Sequence, residues 1–267
     1  MNAAPPILSL SGVCHSFGGL RAVDDVSFEV GRGGITSLIG PNGAGKTTVF
    51  NIISGVLGAH AGNIQFGDKK IENAPPHRIA ALGIGRTFQA PRVFAEMSVL
   101  DNVIVGLRLR GEGLLRAILR GRAHARELRE ARERSEELLA AFGLLPRANE
   151  MAGRLSFGEQ RFLSIARTAI SRPSLILMDE PTVGLDDDGL GKLTDLMRRL
   201  VTAYGATVLL IEHHMETVMS VSQKVILLVQ GAVVIAGTPE EVRDSRRVVH
   251  KYALACCEQR LDDYYAC

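Results

Sequence analysis

Gly40-Pro41-Asn42-Gly43-Ala44-Gly45-Lys46-Thr47-Thr48 stands between an apolar run, Ile35 to Ile39, and a segment of helical character. The stretch fills every position of G-x-x-x-x-G-K-[ST], and a strand before it with a helix after it is the setting in which that pattern has a physical meaning. A glycine-rich turn leading into a helix N-terminus points backbone N–H groups and the positive end of the helix dipole at one place, which suits a phosphate. Lys46 can then reach the β- and γ-phosphates of a nucleotide, and the Thr47 hydroxyl can ligate Mg²⁺. Residues Gly40, Pro41, Asn42, Gly43, Ala44, Gly45, Lys46, Thr47 and Thr48 are therefore the expected nucleotide-binding loop. The competing reading, a chance glycine-rich loop, ignores the elements on either side.

Further along, Leu175-Ile176-Leu177-Met178-Asp179-Glu180 reads as a buried strand ending in two adjacent carboxylates. Consecutive residues at a strand end point in different directions, so the two should have different tasks. Asp179 is expected to hold Mg²⁺ through water, and Glu180 to polarise the water that attacks a γ-phosphate. By itself an acidic pair after an apolar strand is as often a solvated end; the phosphate loop tips the reading.

The 267 residues are 46% hydrophobic and 22% charged with a formal net charge of +2, an ordinary composition for one large domain or a core with a subdomain. The balance of signs offers no nucleic-acid surface, and no nucleic-acid partner is expected. Arginines cluster between Arg108 and Arg134, but Arg126/Glu130, Arg129/Glu133 and Glu130/Arg134 fall at i,i+4 spacing, so a solvated helix face explains them more simply. Cys14, Cys256, Cys257 and Cys267 lack C-x-x-C pairing and read as reduced thiols of a cytosolic protein. With no basic segment before the short apolar stretch Ile7 to Leu10 and no run of bilayer length, the chain is expected to be neither exported nor membrane-spanning by itself.

Residues 7 to 67 alternate apolar and polar positions, as in Val26-Ser27-Phe28-Glu29-Val30, which suggests antiparallel strands beside the nucleotide-binding core. From about Ser98 to Phe142 the pattern is helical. His124 to Ala141 carries mixed charges with Leu128, Leu138, Leu139 and Phe142 as sparse apolar contacts, and reads as an exposed arm. After Ser156, helical segments alternate with continuous apolar runs, Leu175 to Met178 and Ala206 to Ile211, as in parallel strands buried on both faces. The tail from Glu240 reads as helical and then polar, with Tyr264 and Tyr265 near its end.

Arg154-Leu155-Ser156-Phe157-Gly158-Glu159-Gln160 opens a helical pattern, and Ser156 with Glu159 fits an S-x-x-E capping box. Leu155-Ser156-Phe157-Gly158-Glu159 also resembles the Leu-Ser-Gly-Gly-Gln signature of ATP-binding cassette (ABC) ATPases, and it lies between the phosphate loop and the Asp179-Glu180 strand as it does in that family. The resemblance runs from about Leu8 to Leu254 and includes one cassette. It implies an α/β fold: a P-loop NTPase core with a parallel central sheet and an antiparallel β subdomain (about 7–88 and 171–254), an inserted α-helical signature subdomain (89–170), and a tail (255–267).

The resemblance also assigns roles. Ser156 and Gly158 match the positions that contact the γ-phosphate of ATP bound to the other subunit. Phe157 and Glu159 depart from the commonest Gly and Gln; Glu159 is either a capping side chain or a weak repulsive contribution toward that ATP. Gln89 matches the loop glutamine that senses Mg²⁺ or the attacking water, and His213 the switch histidine that contacts the γ-phosphate and steadies Glu180. His214 replaces a frequent Asp and either alters titration near the site or faces solvent. Gly184-Leu185-Asp186 resembles the loop that crosses the dimer interface. Phe17 resembles the aromatic that stacks on adenine, with a core position as the alternative.

Phe17-Gly18-Gly19-Leu20-Arg21-Ala22-Val23, Gly85-Arg86-Thr87-Phe88-Gln89 and Ile211-Glu212-His213-His214-Met215-Glu216 together look like the ATP-binding subunit of branched-chain amino acid importers. That implies ATP and Mg²⁺ as cofactors, catalysis by Glu180, His213, Gln89 and Lys46, and metal contacts from Thr47, Gln89 and Asp179. It also implies a second ABC ATPase subunit as homo- or heterodimer, two transmembrane permeases, an extracytoplasmic solute-binding protein indirectly, and a cytoplasmic location on the inner face of the membrane. The segment from Gln89 to Val105 is the expected groove for a permease's coupling helix. Importers of urea, amides and aromatic acids share much of the pattern. Two further readings stand beside it: a non-transport ABC ATPase, which co-purification with ribosomes or nucleic acid would favour, and a regulatory module without catalysis.

Overall fold

The computed structural model describes residues 5–107 and 121–245, with the backbone alone for 121–125. Three of the cysteines, Tyr264, Tyr265, the tail beyond 245 and the first part of the arginine cluster lie outside the described residues; Cys14 carries a free thiol. Two compact units emerge: the described residues of 1–86, 174–180 and 197–245 form one, and those of 87–173 and 181–196 the other.

The first unit holds β1 (Leu8–Phe17), β2 (Leu20–Val30), β3 (Ile35–Ile39), α1 (Lys46–Ile53), β4 (Ala61–Phe66), β5 (Lys69–Lys70), α2 (Pro76–Leu82) and β6 (Ile84–Arg86). The chain returns to it with β7 (Leu175–Asp179), β8 (Thr207–Ile211), β9 (Lys224–Val229) and β10 (Ala232–Gly237). The continuous apolar runs become strands buried at every position, β3, β7 and β8, because a parallel sheet is covered on both faces. The order of that sheet is β10-β9-β3-β8-β7-β6, parallel except for the antiparallel β9–β10 edge.

The alternating segments form the second, antiparallel sheet, β2-β1-β4-β5. One hydrophobic cluster joins the two: Leu8, Leu10 and Val26 from the antiparallel sheet, Val49, Phe50, Ile52 and Ile53 from α1, and Leu38, Leu177 and Leu209 from the parallel one. Parallel pairing has a functional consequence. The C-terminal ends of β3, β8 and β7 fall on one edge of the sheet, which is where open α/β sheets bind ligands.

The other unit is helical: α3 (Val99–Ile104), α4 (Gly121–Ala141) and α5 (Phe157–Ala169) pack on one another. Ser98 caps α3 by accepting the Asp101 N–H, and buried Asn102 ties the preceding loop through bonds with both the N–H and the carbonyl of Phe94. The arm is less exposed than its charges suggest. Its second half buries Ala131, Ser135, Leu138 and Leu139, whereas Leu128, expected as a contact, is 41% exposed. Arg126–Glu130 forms the expected exposed i,i+4 pair, and Arg132–Glu136 forms another. Helix α6 (Asp187–Thr202) contributes its first part to this unit and its last turns to the other. Helices α7 (Met215–Val221) and α8 (Pro239–Asp244) complete the described elements.

Candidate functional site

The phosphate loop leaves β3 and enters α1 through Gly45, whose φ of 95° is left-handed. A Cβ there would stand 2.3 Å from the Ala22 carbonyl oxygen, so both the conformation and the space require glycine. No acidic residue occupies the first turn of α1, and Thr47 is exposed. A cavity of about 230 Å³ is lined by Asn42, Gly43, Ala44, Gly45, Lys46, Thr47 and Thr48 together with Ala22 and Glu180. Lys46 is buried, and its ammonium donates to the carbonyls of Gly40 and Pro41 at 2.8 Å each. Burial pushes its pKa below the ordinary lysine range, while the carboxylates of Glu180 and Asp179 pull it back.

At the neighbouring strand ends the two carboxylates do part company. Asp179 is buried beside Arg86, Nη2 to Oδ2 3.6 Å. Burial pushes its carboxyl up, Arg86 opposes that, and the charge on Glu180 adds to it. Glu180 lies just beyond β7 in a left-handed backbone, φ 47°, its N–H bonded to the Ile211 carbonyl at 2.9 Å. A non-glycine residue in that region costs about 1–3 kcal/mol, a strain that gathers at functional positions. The turn brings Glu180 Oε1 to 2.9 Å from His213 Nε2, with both side chains partly open to solvent. An ionised carboxylate can only accept, so in this contact the imidazole donates through Nε2.

The donor set suits Mg²⁺. Among the described residues no cluster of three metal-binding side chains exists, and Mg²⁺ is commonly held by one or two protein oxygens with phosphate and water supplying the rest. The exposed Thr47 hydroxyl borders the cavity and is a hard oxygen donor of that kind.

Phe17 ends β1 half exposed and edge-on to His15, which in turn stacks on His60; it is not a core residue. Gln89, Ser156 and Gly158 belong to the helical unit. There a cleft of about 520 Å³ is lined by Ser156, Phe157, Gly158, Gly184, Leu185 and Asp186 among others. The aromatic ring of Phe157 takes the space beside Gly184, where a Cβ would come within 2.8 Å of it.

Ser156 caps α5 in a complete capping box: its Oγ accepts the Glu159 N–H at 3.3 Å and Glu159 Oε2 accepts the Ser156 N–H at 2.8 Å. Of the two readings of Glu159, the capping one is what the structure contains. His214, partly exposed, caps α7, its Nδ1 accepting the Thr217 N–H.

Three positioning residues carried no signal in the sequence. Glu212, buried, accepts the N–H groups of His213 and His214 and so sets the turn that aims the histidine. Arg86 bridges from β6 to Asn51 and Ser54 of the α1 end while standing by Asp179. Arg161, 2% exposed, donates to the carbonyls of Phe88, Gln89 and Val183 and lies over the Phe157 ring. Arg86 and Arg161 meet partners remote in the chain, and Glu212 bonds the next two backbone N–H groups from a buried position that no local pattern marks.

Residues 23–183 match the ABC transporter family. The chain is 40% identical over 248 residues to the high-affinity branched-chain amino acid transport ATP-binding protein LivG of Salmonella typhimurium, covering 92% of this chain and 97% of that protein. Among solved structures, an ATP-binding cassette of an ABC transporter in its ADP conformation aligns with a TM-score of 0.80 at 30% identity, covering 94% of this chain and 99% of that one. A dimeric cassette in a post-hydrolysis state bound to ADP and Pi aligns at 0.73 and 26% identity, covering 87% and 98%. The phosphate loop and the strand-end carboxylates thus stand on the fold of these cassettes, and the chain belongs to the ABC transporter family as an ATP-binding cassette ATPase.

Proposed function

We propose that this ATPase drives an importer whose cargo is branched-chain amino acids or related small polar solutes. The observation that carries the catalytic half is the contact of Glu180 with His213, made by a strained strand-end residue that also borders the cavity of Lys46 and Thr47. The solute class rests on what the 40% identical relative transports. The ATPase subunit need not touch the solute, so the class describes the whole assembly.

In this mechanism the loop N–H groups and Lys46 bind the phosphates of ATP, and Phe17 offers its exposed face to adenine. Thr47, Asp179 and Gln89 would hold Mg²⁺, which would supply charge neutralisation for the phosphates. Glu180 accepts a hydrogen bond from the attacking water, and His213 fixes that carboxylate and contacts the γ-phosphate. Gly40, Pro41, Asn42, Gly43, Ala44, Gly45 and Thr48 complete the cradle. Ser156 and Gly158 would meet the γ-phosphate of ATP on a second cassette, so two cassettes close around two nucleotides and reopen after hydrolysis; the dimeric relative is consistent with this.

Two permeases would receive the motion, through the Gln89 to Val105 segment with its exposed Phe94 and Val105. Among the described residues no helix is long and apolar enough to cross a membrane, and the proposed location is on the inner face of one, held by those permeases.

Glu180→Gln keeps the shape of the side chain and removes its basicity. Hydrolysis should fall by about 10²- to 10⁴-fold, while ATP binding stays intact and an ATP-bound dimer accumulates. The check is phosphate release with oligomeric state recorded in parallel; turnover within twofold of the unsubstituted chain would remove Glu180 from the mechanism.

A further inference from the structure

Glu159 Oε2 is held from two sides: by the Ser156 N–H at 2.8 Å and by Arg147 Nη1 at 2.6 Å. Arg147 sits in the 3₁₀ turn Leu145–Arg147, and its Nε and Nη2 also donate to Glu150 Oε2 at 3.1 and 2.8 Å, with Nη2 reaching the Arg154 carbonyl at 3.3 Å. The guanidinium is therefore fixed between two carboxylates and a backbone oxygen. Arg147 with Arg154 and Glu150 with Glu159 make two positive and two negative charges, a cluster of zero formal charge at the start of α5.

That balance matters because of where Glu159 lies. A helix N-terminus carries the equivalent of about +0.5 charge, so one uncompensated carboxylate in the first turn more than cancels its attraction for an anion. Ser156 Oγ accepts the Glu159 N–H, which leaves its own O–H to donate outward. We propose that Arg147 is a positioning residue for this helix end: it neutralises and orients Glu159, so that the capped terminus keeps a donor-rich, net attractive face toward a phosphate. The inference rests on the reading of the Ser156 terminus as phosphate-facing. Burial works against the charge on Glu159, but the bonds from Arg147 and Ser156 prevail and hold its carboxyl below the usual range, so it is charged at neutral pH.

The test is a charge-rescue cycle on the full-length chain: Arg147→Met, Glu159→Gln and the double variant, each by ATP titration of hydrolysis and by thermal unfolding. Arg147→Met should raise KM for ATP about 3- to 10-fold, the range of a helix-terminus charge in a partly buried setting, and the defect should deepen as salt is lowered. Glu159→Gln should stay within about twofold, and the double variant should return to its level. A merely structural Arg147 would lower thermal stability in both variants that lack it and show no return of KM, which overturns the inference. Gly158→Asp separates the two levels. Unchanged hydrolysis by that variant defeats the phosphate-facing reading itself, whereas its loss together with an unrescued Arg147→Met defeats the role of Arg147 alone.

Discussion

Two helix N-termini in this molecule, both proposed above to face phosphate, are built in opposite ways. Helix α1 begins at a left-handed glycine, has no carboxylate in its first turn and leaves its N–H groups to the cavity. Helix α5 begins at a serine, closes its first turn with a capping box and sets a glutamate there that an arginine neutralises. In the proposed mechanism the bare terminus would surround an anion with backbone and rely on a buried lysine for charge. The capped terminus would offer an anion a hydroxyl and a balanced local field. A helix end can thus be tuned for anion binding either by omission, with glycine, or by compensation, with paired charges.

The largest way to break this contrast is Gly45→Ala. A Cβ at 2.3 Å from the Ala22 oxygen, added to a φ of 95°, should cost about 3 kcal/mol or more and abolish nucleotide binding. Urea unfolding and titration with a fluorescent nucleotide check it; retention of both would mean that the bare terminus does not need its glycine. Next in size is the pair Ser156→Ala and Thr47→Val. Loss of the cap should destabilise by about 1 kcal/mol, whereas Thr47, exposed and not a cap, should change stability by under about 0.5 kcal/mol yet lose Mg²⁺-dependent turnover. Equal unfolding midpoints for the two would erase the distinction.

The smallest effect is an acid titration of stability for the unsubstituted chain against Glu159→Gln. The folded-state pKa of Glu159 is depressed, so its contribution is complete above the ordinary carboxylate range and fades as pH falls through the depressed value. Each partner keeps 30% of its side-chain surface in water, so the gap should be under about 1 kcal/mol at pH 6 and close on acidification. A gap that widens at low pH would contradict the assigned sign.

The capping box was legible because its donors and acceptors lie three residues apart, and the phosphate loop because nine consecutive residues specify one turn and its helix. Buried strands such as Leu175–Asp179 could be read from apolar continuity. In the arm, Leu138, Leu139 and Phe142 are buried as their hydropathy suggests, while Leu128 is exposed and the small Ala131 and Ser135, which hydropathy counting undervalues, are buried beside them. The capping role of His214 was not legible in the sequence, since a histidine is a rare helix cap.

By itself the sequence determined the order of elements, the phosphate loop and the helix that starts at Ser156, because each depends on residues close in the chain and on backbone geometry shared by all proteins. Tertiary structure alone decided that Glu180 turns left-handed toward His213, that buried Glu212 aims that histidine, that Arg161 ties the Gln89 and Val183 carbonyls, and that Arg147 cancels the charge on Glu159. All but one of these pairings join residues brought together only when strands and helices pack, and the exception, Glu212 with its neighbour His213, depends on the burial of Glu212. Their strength comes from burial and mutual orientation, which one-dimensional spacing does not encode.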